Sequence, residues 1–266
     1  MKPHIITVAN RKGGDGKTIT AYTLACMYHS IGKRVLMIDM DSQCNLTMVC
    51  GVKPQQTMKD EPMQEPTIYD ALTGNSTIGF ASEQIKEGLR IARGSLMLSV
   101  CDRMFTDLDA PYKLKECIER MPRNPDVIII DTAPSMDISS VMALTASNSV
   151  IIPAQADRES LQGVSMITDT IRKVQNRTNS ELTIAGVVLT RYNGRQTYTK
   201  QMEQSIRDFA KVAGIHVFST PIRECVAVKE SAVMHQPITT YAPKSTASQD
   251  YKAFFEELQE RTQADD

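Results

Sequence analysis

The residues best suited to chemistry lie together in a glycine-rich loop near the beginning of the chain, Lys12-Gly13-Gly14-Asp15-Gly16-Lys17-Thr18. Glycines allow a backbone to fold around phosphate groups so that its N–H groups face the oxygens, while a lysine neutralises charge. Lys17 occupies that place, and the Thr18 hydroxyl stands where it can hold Mg²⁺ between two phosphates. A glycine-rich turn without a ligand would need neither the lysine nor the threonine. The loop therefore predicts a nucleotide-binding site.

Asp15 is the residue of this loop whose chemistry opposes that prediction. A carboxylate inside a phosphate cradle repels the ligand unless its side chain points away. We therefore expect the Asp15 side chain to be directed outward and solvated.

A second candidate is Asp131, which directly follows the apolar run of residues 127–130. A buried strand that ends abruptly in an acid has the form of a Walker B segment, whose carboxylate supports Mg²⁺, here through a water molecule. An ordinary acid at the end of a strand is the alternative. The presence of the phosphate loop in the same chain favours metal support.

These candidates must be positioned by a fold in which short apolar runs alternate with longer helical patterns. Because the runs are continuously apolar and rich in valine and isoleucine, they suit strands that helices cover on both faces. We predict an α/β fold with a doubly wound, mostly parallel sheet, formed by one domain over residues 1–266. The first helix is expected at residues 17–31, with Gly32 as its C-terminal stop. Residues 53–66 are expected to form an irregular excursion on the surface. The predicted strands are residues 5–9, 34–38, 96–101, 126–130, 149–153, 183–189 and 216–219.

Composition narrows the class of protein further. The chain has 266 residues, of which 41% are hydrophobic and 23% charged, as in globular proteins. Its apolar runs are too short to cross a bilayer and its N-terminus leaves no room for a signal peptide, so we expect a cytoplasmic protein without membrane partners. The net charge of −1 means that binding to DNA requires a local basic patch. Six scattered cysteines without a C-x-x-C pair indicate reduced thiols.

The loop resembles a particular variant of the phosphate-binding motif. The plain pattern G-x-x-x-x-G-K-[ST] would need glycine where the chain has Arg11, whereas the deviant Walker A pattern K-G-G-x-G-K-[ST] of the ParA/MinD family fits. Lys12 matches the signature lysine of that family. The resemblance implies a P-loop ATPase that uses ATP and Mg²⁺ and forms an ATP-dependent sandwich homodimer, in which Lys12 contributes to catalysis at the partner's nucleotide. The nucleotide-binding residues that it implies are Lys12, Gly13, Gly14, Asp15, Gly16, Lys17, Thr18, Ile19 and Pro221.

The end of the second predicted strand is similar to the family segment D-x-D-P-Q-G-N. The match implies that Asp41 orients or activates the attacking water, and that Asp39 supports the metal together with Thr18 and Asp131. Ser42 and Cys44 replace the proline and glycine of the pattern, so this segment differs in stiffness. Capping of a loop at the strand end is the alternative function for both acids. At the position of Asp15 the family often has valine.

Later segments resemble the Soj-like branch of chromosomal and short plasmid ParA proteins. That branch binds DNA without sequence preference and is stimulated by a ParB-like partner, which implies a DNA partition ATPase associated with the nucleoid. Between residues 182 and 252 there are nine Lys or Arg against five acids. A solvated helix face explains such residues equally well, and Ala227 stands where the branch often has arginine. The candidate DNA contacts are Arg195, Arg223, Lys229 and Lys244.

Other functions on this fold make different demands on the sequence. A MinD-like membrane ATPase needs a basic amphipathic C-terminal helix, whereas the stripe Tyr251, Phe254, Phe255 and Leu258 is surrounded by acids and is expected to pack in the core. A nitrogenase-type iron protein needs cluster-binding cysteines that are missing here. An ATP-dependent small-molecule ligase is also possible, because fold does not fix function. The cargo of a partition ATPase, whether DNA or a protein cluster, is not encoded in these motifs.

Overall fold

The computed structural model describes residues 2–54, 65–121 and 125–264, the side chains of 263 and 264 excepted. Within these ranges the backbone forms one sheet with the order β3-β4-β2-β5-β1-β6-β7. All neighbouring strands are parallel except β3 and β4, which form an antiparallel edge. The strands are β1 (His4–Val8), β2 (Val35–Met40), β3 (Ser82–Lys86), β4 (Leu89–Ala92), β5 (Val127–Thr132), β6 (Ser149–Gln155) and β7 (Thr183–Thr190).

Helices connect the strands and cover both faces of the sheet. Two short 3-10 helices, Leu96–Val100 and Ala110–Tyr112, accompany them. The α-helices are α1 (Lys17–Ser30), α2 (Asn45–Val49), α3 (Ile68–Leu72), α4 (Ile78–Ala81), α5 (Cys101–Met104), α6 (Lys113–Glu119), α7 (Ile138–Ala146), α8 (Arg158–Arg177), α9 (Thr197–Ala213), α10 (Val226–Val233), α11 (Ile238–Tyr241) and α12 (Thr246–Ala264).

The central strand β5 explains why its sequence is continuously apolar. Val127 and Ile129 pack into the layer that contains α1 and α12. Ile128 and Ile130 face the opposite layer, which contains α3, α6 and α7. Successive side chains of a strand point to opposite faces, so a strand covered on both sides has no polar face. The predicted doubly wound α/β fold is confirmed.

Five of the seven predicted strands are confirmed, and two are wrong. In place of the strand predicted at residues 96–101, Leu96–Val100 form a 3-10 helix and Cys101 begins α5; the Ser95 hydroxyl accepts a hydrogen bond from the Met97 N–H at 3.2 Å. Residues 216–219 make one bridge to β7, between Val217 and Val187, which is too short for a strand. The hairpin of β3 and β4 was not predicted, because its outer strand is largely polar and exposed. The excursion predicted at residues 53–66 lies mostly outside the described residues.

Helix α1 follows the prediction to within one residue: it ends at Ser30, Ile31 is its C-cap, and Gly32 follows with a φ of 83° that glycine readily adopts. It packs against α12, where the ring of Tyr28 meets that of Phe255 edge to face at 4.9 Å. The predicted core packing of the C-terminal stripe is confirmed, because all four of its side chains are buried. Within the described residues, no helix is both long and apolar enough to cross a membrane.

Parallel pairing brings the carboxyl ends of β2, β5, β1, β6 and β7 to the same edge of the sheet. The glycine-rich loop follows β1 at this edge, and Asp39 and Asp131 are paired in register on β2 and β5. In open parallel sheets, ligands bind in the crevice outside the carboxyl ends of the strands. The fold thus gathers residues that are far apart in the sequence around the loop.

Candidate nucleotide-binding site

The backbone of the loop has the conformation that its glycines were predicted to allow. Gly14 and Gly16 have φ of 83° and 78°, in the left-handed region that disfavours other residues. Gly16 precedes the first turn of α1, and no side chain caps that helix. The first N–H groups of a helix have no partner within the helix, so they are available to an anion that lies in the loop.

Lys17 folds back over its own loop. Its buried ammonium donates a hydrogen bond to the Lys12 carbonyl oxygen at 2.6 Å. Burial lowers the pKa of Lys17, and the charges of Asp131, Asp15 and Asp41 oppose that effect. The side chain is therefore directed across the loop, as expected of a lysine that serves the phosphates of its own chain.

Asp131 is fully buried, and neither oxygen of its carboxylate has a hydrogen-bond partner among the described residues. Burial raises the pKa of Asp131 well above its usual range, Asp39 raises it further, and the neighbouring Thr18 hydroxyl and Lys17 lower it. An unpaired buried carboxylate beside a hydroxyl is an expensive arrangement unless a cation joins them. Hard oxygen donors of this kind fit Mg²⁺.

Asp39 lies beside Asp131 but is bonded very differently. Its carboxylate accepts hydrogen bonds from the Thr47 N–H at 2.8 Å, the Thr47 hydroxyl at 2.7 Å and the Asp41 N–H at 3.2 Å. The Thr47 hydroxyl in turn accepts a bond from the Gly94 N–H at 2.9 Å. Burial raises the pKa of Asp39 to about 6, against these hydrogen bonds. Asp39 thus ties the segment after β2 to α2 and to the chain after β4.

Asp41 begins the segment that leads to α2. One of its oxygens accepts a hydrogen bond from the Gln43 N–H at 2.9 Å, and its side chain is buried. Cys44 follows with φ of 54°, a left-handed conformation that costs a side-chain residue more than the glycine of the family pattern. The substitution noted in the sequence therefore places backbone strain within three residues of Asp41.

The expected orientation of Asp15 is wrong. Its side chain is completely buried and turned into the protein, where it accepts hydrogen bonds from Asn10 Nδ2 at 2.7 Å, Gln155 Nε2 at 3.3 Å and the Ser160 hydroxyl at 3.3 Å. Burial raises the pKa of Asp15 to about 6, while Lys12 and Lys17 oppose that rise. These donors come from other parts of the chain and hold the carboxylate inside the protein, so repulsion by the ligand does not turn it outward.

The Lys12 side chain is directed towards the segment between β6 and α8. Its ammonium lies 2.6 Å from Asp157 Oδ2, 3.6 Å from a Glu159 oxygen and 3.9 Å from Asp15 Oδ1, and 3.4 Å from the Ser160 hydroxyl. Partial burial would lower the pKa of Lys12, but the hydrogen bond to Asp157 and the three carboxylate charges raise it. The two lysines of the loop therefore have different surroundings.

The remaining predicted nucleotide contacts lie at the same edge of the sheet. Ile19 is in the first turn of α1 and packs partly against the core. Pro221 precedes Ile222, whose N–H donates to the Leu189 carbonyl of β7 and whose carbonyl accepts from the Tyr192 N–H. β7 is joined to the loop itself, because the Thr190 hydroxyl donates to the Asp15 carbonyl at 2.8 Å.

The predicted DNA contacts are exposed but differ in their partners. Arg223 is held by two hydrogen bonds from its guanidinium to Asp250, at 2.9 and 2.6 Å. Arg195, Lys229 and Lys244 are exposed and form no ion pair within the described part of the chain. Arg223 thus has a structural partner that the other three lack.

Sequence reasoning missed a group of residues that surrounds Lys12 and Asp15. Gln155 is the last residue of β6, Asp157 and Ser160 follow it, and Asn10 follows the carboxyl end of β1. Asp157 is also the N-cap of α8, since its side chain accepts a bond from the Ser160 N–H. The sequence contains a signal for Asp157, because this acid follows a buried strand just as Asp131 does.

A phosphate-binding loop between the first strand and first helix of a doubly wound sheet, with acids at neighbouring strand ends, defines a P-loop nucleotide-binding protein. Residues 3–184 match the family model AAA_31, described as an AAA domain. The chain is 32% identical over 249 residues to sporulation initiation inhibitor protein Soj of Bacillus subtilis, and the matched region covers 93% of this chain and 94% of Soj. It is 30% identical over 251 residues to chromosome partitioning protein ParA of Caulobacter vibrioides, covering 93% and 90% of the two chains. The chain therefore belongs to the AAA_31 family and to the ParA/MinD proteins with a deviant Walker A loop.

Solved structures share this fold over its whole length. Cobyrinic acid a,c-diamide synthase from Mycobacterium smegmatis, with bound ADP and magnesium, has a TM-score of 0.82 and 26% identity over 99% of this chain and 97% of that chain. A second structure of that enzyme contains an ATP analog and magnesium. These ligands are of the kind expected from the loop, Thr18 and Asp131.

Proposed function

We propose that this protein is an ATP-dependent DNA partition ATPase. ATP binding produces a sandwich dimer, the dimer binds DNA without sequence preference, and a ParB-like partner stimulates hydrolysis and release. The observation that supports this proposal best is the division between the two lysines of one loop. Lys17 crosses its own loop, whereas the Lys12 ammonium lies outside it and can serve the nucleotide of a second subunit. Similarity to Soj and ParA over more than nine-tenths of the chain supports the same function.

The loop backbone and Lys17 bind the phosphates, and Ile19 and Pro221 contribute to the remainder of the nucleotide site. Thr18 and Asp131 would hold Mg²⁺, which would neutralise negative charge on the phosphates. Asp41 orients the attacking water. Because the Asp39 oxygens already accept three bonds, we assign it an indirect part in metal support, through the position of its segment.

The decisive test is the Lys12→Ala variant. We expect it to bind ATP with nearly unchanged affinity, measured with a fluorescent analog, and to remain monomeric with ATP and Mg²⁺ in sedimentation velocity. Lys17→Ala is the matched control, and it should lose nucleotide binding itself. Normal ATP-dependent dimerisation of Lys12→Ala would exclude the proposed function of this lysine.

DNA binding is tested by retention of the ATP-bound protein on duplex DNA of unrelated sequence. The Arg195, Arg223 and Lys229 triple alanine variant should lose retention and keep its basal ATPase. Binding through phosphates also weakens steeply with salt.

Arg223→Ala alone should lower the melting temperature, since it removes the partner of Asp250, whereas Lys229→Ala and Lys244→Ala should not. DNA retention that is unchanged in the triple variant would place the contacts elsewhere.

The proposed position in the cell is cytoplasmic and associated with the nucleoid. A centromere-binding protein encoded beside this gene would support the proposal, and its addition with DNA should accelerate a slow intrinsic ATPase. A MinD-like membrane function makes the opposite prediction, namely that ATP alone sediments the protein with anionic liposomes. We expect no sedimentation, because the apolar stripe of α12 is buried.

The Mycobacterium smegmatis neighbour favours one other function, that of an ATP-dependent ligase that forms amides. The two functions differ in what stimulates hydrolysis. A partition ATPase responds to DNA and a protein partner, whereas a ligase hydrolyses ATP in step with a carboxylic acid substrate. ATP turnover that depends on such an acid, and yields an amide, would replace our proposal with the ligase.

A further inference from the structure

Lys12 is the centre of an ion cluster within its own chain. Asp157 is its nearest partner at 2.6 Å, and Asp15 lies 3.9 Å away on the buried side. Glu159 contacts it at 3.6 Å from the solvent side, where 82% of the Glu159 side chain is exposed. An exposed partner is screened by water and contributes little, whereas the buried and partly buried carboxylates contribute more.

Asp15 is fixed in place from several directions. Asn10 donates to it from the end of β1, and Asn10 is itself held by a second hydrogen bond, from its Nδ2 to the Pro153 carbonyl at 2.7 Å. Helix α8 packs so closely here that a Cβ on Gly163 would lie 2.8 Å from Asn10 Oδ1. The carboxylate therefore cannot follow Lys12 if the lysine moves.

Departure of Lys12 leaves these acids without their nearest cation. Asp15 would keep its hydrogen bonds from neutral groups, but among the cations of the described residues that act on its buried charge, Lys17 alone would remain. Removing one partner of a buried charged pair is costly, because the other charge is left uncompensated. Movement of Lys12 to another subunit is therefore opposed by its own chain.

We propose that Asp15 and Asp157 are positioning residues that hold Lys12 on its own chain and thereby raise the protein concentration at which the ATP-bound dimer forms. This inference rests on the proposed function, because it requires a dimer in which Lys12 crosses the interface. A symmetric dimer releases both lysines, so the effect of each carboxylate enters the dissociation constant twice. Removing one carboxylate charge should tighten the dimer by about fivefold, equivalent to about 1 kcal/mol.

The substitutions Asp15→Asn and Asp157→Asn remove charge and preserve shape. Asparagine caps helices as well as aspartate does, so Asp157→Asn keeps the N-cap of α8. In Asp15→Asn the new amide can donate to the Ser160 hydroxyl while its oxygen still accepts from Asn10, and Gln155 Nε2 loses this acceptor but keeps its hydrogen bond to the Gly14 carbonyl. Glu159→Gln is the matched control, since it removes a charge at similar distance from the solvent side.

The experiment measures the dimer dissociation constant by sedimentation with a non-hydrolysable ATP analog and Mg²⁺, for the wild type, these variants and Lys12→Ala. Asp15→Asn and Asp157→Asn should each tighten the dimer by about fivefold, Glu159→Gln should change it less than about twofold, and analog affinity should stay constant. A second readout is the rate of Lys12 acylation in the nucleotide-free monomer, followed by mass spectrometry. It should rise in both aspartate variants while other lysines stay unchanged, which a purely structural defect would not produce.

The possible failures are distinguishable. The positioning of Lys12 is overturned if the wild type dimerises and the dimers of Asp15→Asn and Asp157→Asn have equal or higher dissociation constants. The proposed function then stays intact. A wild type that never dimerises with the analog overturns both. If Asp15→Asn does not fold, Asp157→Asn decides alone, because the hydrogen bonds of the Asp157 carboxylate in the described part of the chain are to Lys12 and Ser160 and not to Asn10.

Discussion

The carboxyl ends of β2 and β5 carry two acids in the same register, Asp39 and Asp131, and both are fully buried. In sequence they look alike, since each follows an apolar strand. In the structure Asp39 accepts three hydrogen bonds, whereas Asp131 accepts none from the described residues. A buried acid with all its partners in the chain stabilises the fold, while one without partners indicates a ligand that the chain does not itself supply.

The largest effect expected from this comparison concerns activity at Asp131. The Asp131→Asn variant should lose ATPase activity by about a thousandfold, since support for Mg²⁺ is worth several kcal/mol in phosphoryl transfer. Its nucleotide-free form should be more stable than the wild type by about 1 kcal/mol, because a neutral amide replaces a carboxyl group whose ionisation is opposed by burial. Steady-state hydrolysis and urea denaturation measure the two effects. Clear destabilisation of the nucleotide-free variant would mean that Asp131 is structural, as Asp39 is.

Asp39 should show the reverse pattern. Asp39→Ala leaves both Thr47 donors and the Asp41 N–H without their acceptor, and each unsatisfied buried group costs about 1 to 3 kcal/mol. We expect a loss of about 3 kcal/mol in the free energy of unfolding. Asp41→Ala is the matched control, because one hydrogen bond from Gln43 is lost and stability should fall by about 1 kcal/mol while hydrolysis fails. Equal stabilities of the two variants would remove the distinction.

The comparison also shows what the sequence could predict. The alternation of apolar runs with helical patterns predicts the parallel sheet correctly, because this periodicity is local and five strands of the sheet are long and buried. The two wrong strands and the missed hairpin depended on pairing partners elsewhere in the chain. Residues 96–101 are as apolar as a strand, but nothing in their own sequence states that β4 already occupies the edge beside β2.

In the candidate site, too, some features were predictable from local sequence and others depended on contacts that only the fold creates. The loop was predictable because its glycines, lysine and threonine act through their own backbone and spacing. Asp15 was not, because its donors come from Asn10, Gln155 and Ser160, which only the fold brings together. Whether Asp39 caps a loop or supports a metal likewise depended on Thr47, whose position relative to β2 the sequence does not state.

Asp15 combines features of both strand-end acids, and it provides a pH-dependent test. Burial raises its pKa to about 6, from an ordinary value of 3.8. An acid whose pKa is raised in the folded state contributes stability that is complete below about pH 4 and is lost as pH rises through about 6. Asp15→Asn does not titrate, so its stability relative to the wild type should increase by about 2 kcal/mol from pH 4 to pH 7. Denaturant midpoints across this range measure it, and a difference that stays constant or declines with pH would contradict the prediction.

The smallest expected effect tests how tightly the surroundings of Asp39 are packed. A Cβ on Gly94 would lie 2.9 Å from Asp39 Cγ and Oδ2 and 3.1 Å from Cys44 Sγ, so Gly94→Ala should cost about 1 to 2 kcal/mol through overpacking. Gly79→Ala is the control, because its Cβ would meet only Thr77 Oγ1, at 3.6 Å, and should leave stability unchanged or slightly raised. In the Asp39→Ala background the cost of Gly94→Ala should shrink by about half, since one of the two contacts is gone, and a double-mutant cycle on urea denaturation measures this coupling. Strictly additive costs would mean that Gly94 does not constrain the Asp39 carboxylate, and that the difference between the two strand ends arises from the hydrogen bonds of Thr47 and Asp41.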